Sequence, residues 1–113
     1  MTISTLAEQA RQVLESVPET QLPLTYQQLA DALELVPPRT IQRVAQALET
    51  LMHEDAKAGR PLIAALVVSR YGEGLPAPGF FELAVALRRF PAEPAAQVSA
   101  YRDEFQRALE ARG

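Results

Sequence analysis

The chain has 113 residues, 48% of them hydrophobic and 22% charged, the balance of one ordinary globular domain and not of a disordered segment. Its formal net charge of −3 argues against a protein held to nucleic acid by bulk charge alone. It has no cysteine, which removes disulfides, thiolate metal ligands and thiol nucleophiles together.

Helical spacing starts at once. Ile3, Leu6, Ala10, Val13, Leu14 and Val17 recur at steps of three and four, predicting an amphipathic helix over 5–17, with Thr5 and Glu8 as a capping box. Pro18 and the polar Glu19-Thr20-Gln21 end it. Leu22-Pro23-Leu24 reads as an extended entry, because Pro23 biases Leu22 away from helix. Thr25 and Gln28 form a second capping box, opening a helix of about ten residues with Leu29, Ala30 and Leu33 on one face. Pro37-Pro38 breaks that helix, and Pro38 suits the first turn of the next.

The third helix is expected over 38–58, with Ile41, Val44, Ala45, Leu48, Leu51 and Met52 as its apolar stripe and Gly59 as its stop. Arg39, Gln42, Arg43, Gln46 and Glu49 fall off the stripe near the helix start. A short helix, a break and a longer helix are the ingredients of a helix-turn-helix, whose second helix enters the major groove by its N-terminal part. Arginine and glutamine suit guanine and adenine edges there, although long polar side chains also coat ordinary surface helices. Charge agrees locally: between Val36 and Gly72, five basic residues (Arg39, Arg43, Lys57, Arg60, Arg70) face three acidic ones (Glu49, Glu54, Asp55).

Leu62 to Val68 is a seven-residue apolar run, read as a strand buried on both faces and far too short to cross a bilayer. Arg70 to Gly79 is dense in glycine and proline and makes a shaped loop. Phe80 to Leu83 returns as a second strand or turns directly into helix. As a hairpin the segment is a wing, with Arg70 and Tyr71 on a phosphate or groove and Arg60 on a phosphate. Equally, Tyr71 packs beneath the loop and Arg70 is only solvated. Ala84, Val85 and Leu87 suggest a short helix ended by Pro91. Pro94 opens a last helix with Val98, Tyr101, Phe105, Ala108 and Leu109 as its stripe and Arg102, Asp103, Glu104, Gln106, Arg107 and Glu110 on its outer face. That helix packs across the first or pairs two copies.

The expected fold is therefore α+β and mainly helical: one winged helix-turn-helix domain over 1–113, with a core at 22–83, a two-stranded wing, an added N-terminal helix and a C-terminal helix at 94–112. Leu24-Thr-Tyr-Gln-Gln-Leu-Ala30 followed by Arg39-Thr-Ile-Gln-Arg-Val-Ala45 is distantly similar to the DNA-binding half of the O6-alkylguanine alkyltransferases and alkyltransferase-like proteins. That family has a TYG-x-LA helix start and an R-x-V-G-x-A recognition helix. The resemblance covers about half of the chain and implies a related scaffold, with Arg39 or Arg43 where that family inserts an arginine into DNA. The chain departs at the chemistry: it has no Pro-Cys-His-Arg motif, Leu66-Val67-Val68 stands near its expected place, and alkyl transfer is excluded.

Nothing else points to catalysis. His53, Glu54 and Asp55 are adjacent in a helix, so their side chains diverge and make neither a triad nor a metal site. Ser69 has no glycine elbow, and Gly72-Glu73-Gly74 lacks the spacing and lysine of a phosphate loop. No enzyme activity, metal or cofactor is expected. The first functional expectation is a bacterial regulator or DNA-associated factor binding double-stranded DNA, with Arg39, Gln42, Arg43 and Gln46 in the groove. The alternative is a protein-interaction module on the same scaffold, holding a protein partner or a second copy without nucleic acid. Met1 to Ala10 shows no basic start followed by an apolar run, so no signal peptide or membrane partner is expected and the location is cytoplasmic.

Overall fold

A computed structural model describes residues 5–70 and 73–112. The architecture is mainly helical, with five α-helices among the described residues and one small sheet: α1 (Leu6–Ser16), β1 (Leu24–Thr25), α2 (Tyr26–Ala32), α3 (Thr40–Ala58), β2 (Val67–Val68), α4 (Pro78–Ala86) and α5 (Pro94–Ala111). Short 3-10 turns occupy Glu19–Gln21 and Ile63–Leu66.

Local chemistry sets the boundaries. Thr5 caps α1 by accepting the Glu8 amide, and Thr25 and Gln28 close a full capping box at α2. The expected ten-residue α2 is shorter, seven residues, because Glu34 takes a left-handed conformation (φ 57°) and Leu35 donates back to the Ala30 carbonyl. The helix thus stops before the proline pair reaches it. Gly59 ends α3 in the left-handed region (φ 71°), as its place after Ala58 predicts.

The expected wing is corrected. Of the run Leu62–Val68, only Val67 and Val68 are strand, and they pair in parallel with Leu24 and Thr25, not with a returning neighbour. Phe80–Leu83 lies within α4, started by Pro78 in its first turn, so the second strand does not form. The amides of Leu62 and Ile63 are taken by side-chain carboxylates, which leaves Ile63–Leu66 to close as a 3-10 turn.

Leu62 to Val68 nonetheless runs through the centre of the molecule, every residue buried. Around it pack Leu14 of α1, Leu29 of α2, Val44, Leu48, Leu51 and Met52 of α3, Phe80 of α4, and Tyr101 and Ala108 of α5 in a single core. The hydrophobic core thus draws on α1 and α5 as well as on the segment between them. Phe80 meets Phe81, Phe90 and Tyr101 edge-on at centroid distances of 5.5, 5.6 and 6.0 Å, welding α4 to α5. No described helix is long and apolar enough to cross a membrane.

Candidate nucleic-acid interface

Residues 33–39 connect α2 to α3 and deliver Arg39 at the helix entrance. Arg39 is the N-cap residue of α3 in a left-handed conformation (φ 61°); its carbonyl accepts the Arg43 amide at 2.9 Å, and no side chain caps the helix. The free amides and the helix dipole leave a partial positive charge here, to which the arginines add. Arg39, Gln42, Arg43 and Gln46 are all exposed, two turns of α3 with two cations and no carboxylate among them. The Arg39 side chain has no hydrogen bond or ion pair among the described residues, and Arg43 donates only to the Val36 carbonyl, at 3.3 Å.

Arg11, Arg60, Arg89, Arg107 and Arg112 are tied into the fold, while Arg88 and Arg102 are exposed and, like Arg39, make no hydrogen bond or ion pair among the described residues. Arg11 and Arg60 both reach Asp55 Oδ1, at 2.9 and 3.1 Å, while Asp55 Oδ2 accepts the Ile63 amide at 3.0 Å. Arg89 and Arg107 reach Glu104 at 3.1 and 2.7 Å, and Glu104 Oε2 also accepts the Leu62 amide at 2.6 Å. Both carboxylates are fully buried. This corrects the expected outer face of α5, from which Glu104 turns inward. Arg60, expected on a phosphate, is one of the arginines so engaged, with its side chain 55% exposed. Arg60 is engaged by Asp55, its carbonyl holds Arg89, and it stands beyond the far end of a helix about 28 Å long.

Arg70 is exposed after β2 and makes an interaction of its own; Tyr71 lies outside the described residues. His53 and Glu54 are exposed while Asp55 is buried, and Arg11 Nη2 reaches both Glu54 Oε1 at 3.3 Å and Asp55 Oδ1 at 2.9 Å. Among the described residues there is no group of three or more histidine, aspartate or glutamate side chains placed to hold a metal, and no buried side-chain polar atom without a partner.

Sequence reasoning missed the two buried acids, yet a signal was present. Asp55 stands four residues after Leu51, and Glu104 three after Tyr101 and four before Ala108, so each occupies a position of its helix's buried stripe.

One further feature lies on the other side of α3 from the arginines. Tyr26, Ile41, Ala45, Leu48, Met52 and Phe80 line a mainly apolar cleft of about 110 Å³ between α2, α3 and α4. Tyr26 accepts the Ala77 amide at 3.0 Å across it, and burial raises the pKa of Tyr26. Ile41, expected within the buried stripe, is 43% exposed in the first turn of α3. The chain matches no family model, no curated protein and no solved structure.

Proposed function

We propose that the protein binds duplex DNA as a non-catalytic module, with α2 and α3 acting as a helix-turn-helix pair. The observation that carries this reading is the start of α3. There Arg39 and Arg43, with Gln42 and Gln46, project close together from a helix N-terminus that no side chain caps, whereas Arg11, Arg60, Arg89 and Arg107 are paired with buried carboxylates and the exposed Arg88 and Arg102 stand singly elsewhere. Two cations without acidic partners suit phosphates and guanine edges, and the glutamines suit adenine. The similarity of Arg39-Thr-Ile-Gln-Arg-Val-Ala45 to the alkyltransferase recognition helix supports the same placement.

Fluorescence anisotropy of a labelled mixed-sequence duplex tests it. Binding is expected to weaken steeply as salt rises, because each neutralised phosphate releases counterions. Arg39→Ala and Arg43→Ala should each weaken binding about tenfold and lower the salt slope by about one, with an unchanged melting temperature. Absence of binding at low salt defeats the reading.

A protein-interaction module is the second reading, favoured by the apolar cleft beside the exposed Ile41. It requires self-association or a protein partner in place of DNA affinity. Cutting away α5 cannot test it, since α5 supplies Tyr101, Glu104 and Ala108 to the core. Sedimentation of the full chain over a range of concentrations is the direct check on self-association.

A further inference from the structure

The cleft between α2, α3 and α4 is separate from the arginine face. Ile41, Ala45, Leu48 and Met52 line it from α3 at steps of four, three and four, one side of the helix. Ile41 stands about 160° round α3 from Arg39 and Arg43. Leu48, Met52, Ala64 and Phe80 make a buried floor, and Ile41, Glu49 and Gly79 are exposed at the mouth. Besides Glu49, the polar side chain in the lining is Tyr26. Its hydroxyl accepts the Ala77 amide at 3.0 Å, while its own hydrogen has no acceptor among the described residues.

We propose that this cleft binds a small neutral molecule of about six non-hydrogen atoms, apolar in body and carrying one oxygen acceptor, of the class of short ketones. The inference does not depend on DNA binding. The space is about 110 Å³. An apolar cavity of roughly 150 Å³ takes a benzene ring, so one small ring or branched chain fills this cleft. Apolar walls hold water poorly and forfeit dispersion contacts until something apolar lies against them. The unspent Tyr26 hydrogen calls for an acceptor, which favours a carbonyl oxygen over plain hydrocarbon. Charge works against both kinds of ion. A carboxylate would meet Glu49 and no cation, since no arginine or lysine lines the cleft. An ammonium would leave water for apolar walls, with only a solvent-exposed Glu49 as its partner.

Cyclopentanone, titrated into the full chain and followed by NMR of the protein's methyl groups, is the test. Saturable shifts are expected at Ile41, Ala45, Leu48, Met52 and Ala64, with a Kd of about 1 mM, within what so few atoms can supply. Isobutyrate and isobutylammonium, of similar size, should each bind at least about tenfold more weakly. Ala45→Leu fills the cleft from α3 and should abolish the shifts while the melting temperature holds or rises. Tyr26→Phe, checked for an intact fold by its methyl spectrum, should weaken the ketone about tenfold. Absence of saturable shifts at these methyls up to about 50 mM ketone overturns the proposal, as does binding that survives Ala45→Leu. Equal affinity for either ion, or a ketone affinity untouched by Tyr26→Phe, overturns the choice of a neutral acceptor as ligand. Shifts of the same methyls that grow with protein concentration alone would overturn it too, by assigning the cleft to a second copy.

Discussion

At the residue scale, two buried acids hold the centre of the molecule. Asp55 of α3 and Glu104 of α5 accept the consecutive amides of Ile63 and Leu62, and arginines neutralise both. An ion pair taken out of water contributes little net stability, but removing one partner strands charge and backbone donors, at a cost of about 3–5 kcal/mol. Asp55→Ala and Glu104→Ala are each expected to lose about that much in urea unfolding, whereas Arg39→Ala stays within about 0.5 kcal/mol. The acids grip one segment from two sides, so the double variant should lose less than the two single losses together. A simple sum would show that the grips are independent. Helical periodicity places both residues on buried stripes, yet their charge argues for the surface, and charge is the stronger prior in a single sequence. Only the convergence of Arg11, Arg60, Arg89 and Arg107, drawn from separate parts of the chain, reverses it.

At the element scale, what could be read was what local chemistry decides. The caps at Thr5 and Thr25, the stop at Gly59 and the proline start of α5 all lie where short-range rules put them. The wing did not, because strand pairing is a long-range choice. Val67–Val68 finds its partner at Leu24–Thr25 across α2 and α3, and nothing in its own apolar residues names that partner. Phe80–Leu83 carries aromatic residues suited to a strand, but Pro78 before it and Ala84 and Ala86 after it favour the helix. The stop at Gly59 can be weighed directly. Its φ of 71° suits glycine, and a Cβ added there meets nothing within 4 Å, so Gly59→Ala should cost the conformational term alone. That is about 1 kcal/mol, read as a lower denaturation midpoint with an unchanged slope. A loss above about 3 kcal/mol would mean that the turn into Arg60 is itself disturbed.

At the scale of the whole molecule, two tyrosines act as cross-ties. Tyr101 of α5 donates to the Ala65 carbonyl at 2.8 Å, and Tyr26 of α2 accepts the Ala77 amide ahead of α4. Burial raises both hydroxyl pKa values above 10, since the phenolate would lie in a poorly solvated core; for Tyr101, repulsion from Tyr26 adds to the rise. A raised value in the folded state means that the unfolded chain gives up these protons first. The stabilisation is therefore complete below pH 10 and is lost as pH climbs above it toward the folded values. Global stability should be flat with respect to these groups at neutral pH and fall on the alkaline side. Tyr101→Phe separates the two contributions. It leaves the buried Ala65 carbonyl without its donor, at a cost of about 1–2 kcal/mol at neutral pH, and it removes one of the titrating groups, so the alkaline decline should become shallower. Urea titrations of the native chain and the variant at pH 7 and above pH 10 give both numbers. An equally steep decline in the variant would place the alkaline sensitivity elsewhere than at the tie between α5 and the central segment.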